Sequence, residues 1–183
     1  MNLSNEQNII ELIAADEWMM HVLQCAASMG LPDWWICAGF VRSKVWDTLH
    51  RYEERTPLPD VDVIYFEPDS VDEENEKRLE CVLTNLDPTI PWSVKNQARM
   101  HVVNQVMPYS SSTDGMSKFP ETATAIGVTL DEKGELQLSA PYGVADLILM
   151  KIKPTPYFEE SQLFKDRLLS KNWSAKWPKV KEV

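Results

Sequence analysis

The alternation of helical periodicity with short apolar runs along most of the chain predicts an α/β (α+β) fold. Two stretches carry most of that inference. Residues 34–38 are a short apolar run bounded by Pro32 and Gly39, and Val41, Val45 and Leu49 then recur four apart, so a buried strand turns into a helix. Residues 60–66, DVDVIYF, form a second strand, buried on both faces except at its start, and an acid-led helical pattern follows it.

The remaining elements follow in order. Ser4 with Gln7 predicts a capping box for one or two helices that carry Ile9, Ile10, Leu12 and Ile13, then Met19, Met20, Val22, Leu23 and Ala26, and stop at Gly30 and Pro32. In the helix after Gly39 the four-spaced valines and leucine face inward, leaving Arg42 and Lys44 free for other contacts. Residues 51–59 form a charged, proline-marked loop. The helix opening within residues 69–76 turns Leu79, Val82, Leu83 and Leu86 to the core. Residues 91–96 are another short strand, and residues 106–120, rich in serine and marked by Gly115 and two prolines, predict a mobile loop. Residues 123–130 and 136–139 form a hairpin across DEKGE. Residues 144–150 are a short apolar helix, Pro154 and Pro156 break the chain, and a C-terminal helix covers residues 158–170.

A chain of 183 residues fits one domain, residues 1–183, with a core over residues 31–150 and a basic helical segment over residues 151–183. No apolar run approaches the roughly 20 residues of a membrane span, and the first basic residue is Arg42, so neither a membrane partner nor a signal peptide is expected. The expected location is cytoplasmic. Cys25, Cys37 and Cys81 are odd in number and lack CxxC spacing, which suggests neither a disulfide framework nor a zinc site and predicts core thiols. The net charge of -10 argues against a general nucleic-acid binder. Residues 151–183 nevertheless carry eight basic side chains against four acidic ones. They can hold a polyanion, or dock on the acidic body as a surface helix; the mixing of charges with Leu168, Trp173 and Trp177 favours docking.

Asp60 and Asp62 carry the clearest chemistry. On a strand, alternate residues point to one face with alpha carbons roughly 6.7 Å apart, so two carboxylates can converge. At about 5 Å and an effective dielectric near 20 they repel by about 3 kcal/mol, which a divalent cation between them more than offsets. All-oxygen ligands suit Mg²⁺, or Mn²⁺, which shares substrate phosphates. The pair alone is a weak signal, since it also arises at the solvated mouth of a strand. Upstream, however, the strand ending at Gly39 feeds a helix N-terminus, whose free amides and dipole attract an anion. Gly39 has no side chain to block a triphosphate, and Arg42, one turn in, offers a planar fork of donors.

These residues bear a family resemblance. AGFVRSKVWDTLH followed by DVDVIYF resembles the GGxVRDxLL and DxD signature of the DNA polymerase β-like nucleotidyltransferase superfamily, particularly its CCA-adding and poly(A)-adding branch. With PWSVKNQARMH, FPETATAIGV, APYGVADL and KNWSAKWPKV, the likeness to a bacterial nucleotidyltransferase family extends over residues 31–180. The resemblance implies a mixed β-sheet flanked by helices, a nucleoside triphosphate (NTP) over Gly39, Arg42 and Ser43, and Mg²⁺ or Mn²⁺ at Asp60 and Asp62. It implies transfer of a nucleoside monophosphate to a hydroxyl or phosphate acceptor, whether small molecule, protein or RNA. Three departures stand out. Ala38 replaces a glycine, Ser43 replaces an aspartate, and the position of the third carboxylate falls on Ser93, with Asp146 and Glu121 as possible substitutes. The alternative is therefore a catalytically weak nucleotide-binding regulatory module, and a third class is a protein-interaction adaptor that uses the basic C-terminal segment.

Lys95, Asn96, Gln97, Arg99 and His101 form a polar cluster after a strand. The cluster suits phosphate, base or acceptor contacts, and equally a structural network; His101 is a general base or a packed ring, while His21 and His50 default to structure. Of the seven tryptophans, Trp18, Trp34, Trp35, Trp46 and Trp92 fall on core-like faces, and Trp173 and Trp177 are undecided.

Overall fold

The computed structural model describes residues 3–159 and 161–183. Two N-terminal helices, α1 (Glu6–Ala14) and α2 (Glu17–Ala27), precede β1 (Trp35–Cys37), α3 (Gly39–His50), β2 (Val61–Tyr65), α4 (Glu73–Leu86), β3 (Trp92–Asn96) and α5 (Gln97–Asn104). After α6 (Ser112–Met116) come the hairpin β4 (Gly127–Leu130) and β5 (Leu136–Ser139), then α7 (Ala145–Ile148), β6 (Lys151–Ile152), α8 (Gln162–Lys171), α9 (Trp173–Lys176) and β7 (Lys181–Glu182). The main sheet has the order β3-β2-β1-β4-β5. It is mixed: β3 joins β2 in parallel, and the other neighbours are antiparallel. A parallel pair, β6 and β7, ties the two ends of the C-terminal segment together.

Strand alternation sorts the sheet into an apolar face and a chemical face. Ile36 lies opposite Val63 and Val128, and Val63 opposite Val94. All four are fully buried in the main core, with Ile9, Ile13, Met19, Leu23 and Trp46 from the helices. The other face carries Cys37, Asp62 and Ser93 in one row and Trp35, Ile64 and Lys95 in the next. Only a small cluster covers it: Met116 of α6 and Phe119 pack on Cys37 and Ile64. Gly127 permits that cover, because a Cβ there would meet the Met116 sulfur at 3.0 Å.

α3 is the central helix. Phe40, Val41, Arg42, Ser43, Val45, Trp46 and Asp47 are all buried, so the inward stripe expected for it is widened almost to the full circumference. Lys44 pairs with Asp16, which also holds Arg55. Asp47 accepts bonds from the Thr56 amide and hydroxyl and from the Trp177 indole, fixing the 51–59 loop and the C-terminal segment to one carboxylate.

Several local expectations change. Asn5, rather than Ser4, caps α1, its side chain accepting from the Asn8 amide at 2.9 Å. Of the four apolar residues expected to face the core from α4, only Leu83 is fully buried; Val82 and Leu86 are about half exposed, and the buried Glu76 takes part of the inward face. Residues 106–120 are not one irregular loop: Ser111 caps α6, and Asp114 pairs with Lys118. The C-terminal helix starts at Gln162 rather than at residue 158, and Glu160 lies outside the described residues. Cys81 is exposed, so only Cys37 is a fully buried thiol.

The turn from β1 into α3 is strained. Ala38 has φ 53° and ψ -112°, a region that glycine enters freely and alanine does not. Its amide donates to the Ile126 carbonyl at 2.9 Å and its carbonyl accepts from the Arg42 amide at 3.0 Å, so neighbouring elements impose the conformation. Ala38→Gly relieves about 1–3 kcal/mol of strain against an unfolded-state cost of about 0.4–1 kcal/mol. Urea denaturation is expected to show it more stable by about 1 kcal/mol.

Candidate functional site

The site sits where the start of β2, the N-terminus of α3 and the helix α8 meet. Asp60 is exposed just before β2 and Asp62 is partly buried within it. Asp62 lies beside Cys37 on one side and Ser93 on the other, so the register puts a serine at the position expected for a third acid. Burial pushes the Asp62 carboxyl up to about 6, and the Asp60 charge adds to this; a hydrogen bond from Ser93 and the charges of Lys171 and Arg167 oppose it. No group of three or more His, Cys, Asp or Glu side chains suited to a metal occurs among the described residues. Asp60 and Asp62 could hold a cation as a pair.

Facing them is the first turn of α3. No side chain caps this helix, so its leading amides have no local acceptor. Gly39 is not at positive φ, and a Cβ there would meet only ordinary contacts at 3.7 and 3.9 Å. Neither backbone nor packing requires glycine; the room matters only to something entering the cleft.

Arg42 is 9% exposed. Its guanidinium stacks on three indoles, 5.4 Å from the Trp46 centroid, 4.9 Å from Trp173 and 5.5 Å from Trp177. The cage is rigid: the Trp46 indole donates to the Leu147 carbonyl and that of Trp177 to Asp47. Among the described residues Arg42 has no carboxylate partner, its Nε makes no hydrogen bond, and its one side-chain hydrogen bond is a long 3.4 Å bond to the Ser43 hydroxyl. Burial pulls the guanidinium down to about 10, with Glu121, Asp60 and Asp62 opposing, so it stays cationic at neutral pH.

These groups line a cleft of about 200 Å³ whose other wall is basic: Arg167, Lys171 and Lys176. Arg167 is aimed by the fully buried Glu121, whose second oxygen accepts from Thr124. The C-terminal segment thus docks on the acidic body, and its docked face supplies the cations of the site. The charge segregation signalled this; which lysines and arginine turn inward was not readable.

The polar cluster after β3 divides. Lys95 borders a second cleft and lies 3.6 Å from Glu76. The Asn96 amide is consumed by the fold, donating to the Glu67 and Ser70 carbonyls and accepting from the Glu67 and Ala98 amides. Arg99 forms a two-pronged pair with the buried Glu76. The structure therefore brings Asp60, Asp62, Gly39, Arg42 and Ser43 together and leaves Asn96 and Arg99 outside the cleft. His101 is held by the Ala98 carbonyl and Asp146 accepts from Thr122, and neither lines the cleft that holds the carboxylate pair.

The comparisons agree with this architecture. The Nucleotidyltransferase family model matches residues 24–181. A solved structure described as revealing a CCA-adding enzyme head domain is 36% identical, with a TM-score of 0.87 over 100% of this chain and 98% of that one. The Thermotoga maritima CCA-adding enzyme complexed with tRNA is 13% identical, with a TM-score of 0.58, covering 98% of this chain and 42% of that one. A CCA-adding enzyme with ATP is 13% identical, with a TM-score of 0.51, covering 91% and 40%. These last two show the fold alone, and the chain spans less than half their length. No curated protein matches the chain. The chain belongs to the Nucleotidyltransferase family.

Proposed function

We propose that the protein transfers a nucleoside monophosphate from an NTP to a hydroxyl or phosphate acceptor. The observation that carries this reading is Arg42, a buried cation with no carboxylate partner among the described residues, facing a carboxylate pair across a cleft. A buried, unpaired guanidinium is costly, and an incoming triphosphate would neutralise it. The uncapped amides of α3 and the Ser43 hydroxyl would seat the β- and γ-phosphates, and Arg167 and Lys171 would flank them.

The donor set fits Mg²⁺ or Mn²⁺: two carboxylates, one exposed and one partly buried, repel each other and leave coordination positions for water and phosphate. When bound, such an ion would polarise the phosphate undergoing attack. Asp60 and Asp62 would hold it, and Ser93 would steady Asp62. The acceptor oxygen bonds to the α-phosphorus as the bond to the β-phosphate oxygen breaks; pyrophosphate leaves with the electron pair, and the acceptor proton passes to water. Three free cysteines and the absence, among the described residues, of a helix long and apolar enough to cross a membrane support placing this work in the cytoplasm. The acceptor, whether small molecule, protein side chain or RNA, is open.

Ser93 beside Asp62 favours a second reading, a nucleotide-binding regulatory module with little turnover, because a serine replaces the base or extra ligand that a third carboxylate would supply. Incubation with each NTP radiolabelled at the α-phosphate, Mg²⁺ and cell extract separates the two. Transfer of label that falls by a factor of about 100 or more in Asp62→Ala supports the enzyme, since the ion's contribution is several kcal/mol. Tight NTP binding without transfer supports the module, and absence of binding ends both. Gly39→Ala is expected to unfold within about 1 kcal/mol of the native chain, yet bind NTP about tenfold or more less tightly, as calorimetry would show.

A further inference from the structure

A second cleft, of about 230 Å³, shares Ala38, Asp62 and Arg167 with the first. The two are therefore contiguous along the Asp62 carboxylate. Their chemistry differs. The first is walled by cations and backbone amides; the second is walled by Ile64, Met100, Phe119 and Pro120, with amide side chains set among them. Apart from the shared Arg167, its one cation, Lys95, is already engaged by Glu76, so it adds little charge of its own for a polyanion.

Gln97 is the informative residue. It is only 4% exposed and lines this cleft, yet its carboxamide makes no hydrogen bond among the described residues. Its amide atoms are not sealed from water, so they meet solvent at the cleft wall and are free to exchange it for a ligand. The fold also holds it tightly: a Cβ on Gly115 would lie 2.5 Å from the Gln97 Oε1 and 3.0 Å from the Tyr109 ring, so α6 approaches Gln97 closely only because residue 115 has no side chain. A neutral donor–acceptor pair, pinned in place in a cleft that a flat aromatic ring and a thioether also line, suits a planar heterocycle that presents its own donor and acceptor edge. A glutamine carboxamide matches the amino and ring-nitrogen edge of adenine in two bonds.

We propose that the second cleft is the nucleobase pocket, that Gln97 reads the base edge, and that adenine is the base it prefers. The inference rests on the triphosphate reading of the first cleft, since the shared Asp62 and Arg167 let one nucleotide span both. Phe119 and Met100 enclose the ring, and Gln97 sets the preference among bases; Arg42 and the α3 amides hold the phosphates whatever the base.

Inorganic tripolyphosphate, ATP, CTP, GTP and UTP, each with Mg²⁺, are titrated calorimetrically into the full chain and into Gln97→Met. The variant is close in volume and breaks no hydrogen bond of the carboxamide among the described residues, so urea denaturation is expected to place it within about 1 kcal/mol of the native chain. For the native protein the expected result is ATP bound at least about tenfold more tightly than tripolyphosphate and the other NTPs, with Gln97→Met losing that preference while binding tripolyphosphate unchanged. Tripolyphosphate and all four NTPs binding alike, a preference for a base other than adenine, or an ATP preference that survives Gln97→Met overturns the pocket assignment and leaves the triphosphate site standing. Failure of tripolyphosphate and of every NTP to bind overturns both.

Discussion

An arginine withdrawn from water without a carboxylate to answer it is the constraint on which the site depends. Removing a guanidinium from solvent costs several kcal/mol, and each aromatic face returns about 0.5–2 kcal/mol. Three indoles around Arg42 offset much of the penalty while leaving the charge unneutralised and its Nε unbonded. A carboxylate in their place would stabilise the fold at least as well and would quench the charge. The aromatic cage keeps it available to an anion.

That arrangement couples distant parts of the chain. Trp46 comes from α3, whereas Trp173 and Trp177 come from the C-terminal segment, and Asp47 binds the Trp177 indole at the same point where it holds Thr56. Arg167, fixed by Glu121, completes the basic wall between the two clefts. The C-terminal segment is thus part of the site. On the sheet, the two-residue period of β2 sends Val61, Val63 and Tyr65 into the core and leaves Asp62 on the opposite, thinly covered face, so the strand that anchors the fold also presents the carboxylate.

Local pattern made much of this legible. The strand–glycine–helix turn and the Asp-x-Asp strand follow from spacing, because they depend on residues close in sequence, and the alignment of Ser93 with Asp62 follows from the family resemblance. Long-range contacts were not legible. Asn96 and Arg99 look as suited to a ligand as Lys95, and only the placement of Glu76 and of the Glu67–Ser70 backbone shows them committed to the fold. Arg167 and Lys171 are two basic residues among eight, and nothing in their neighbours says which face of α8 turns inward. The serine-rich 106–120 stretch reads as a loop because the packing of α6 on Cys37 and Ile64 depends on partners distant in sequence, although its Ser111 cap is local.

The caged guanidinium is open to direct observation by heteronuclear NMR of arginine Nε–H groups. On titration with tripolyphosphate and Mg²⁺, the Arg42 resonance should shift strongly while those of Arg55 and Arg99, already held by Asp16 and Glu76, stay in place. Saturating tripolyphosphate that leaves the Arg42 signal unmoved would contradict the account, since the one buried cation without a counter-charge among the described residues would then not be the anion's receptor.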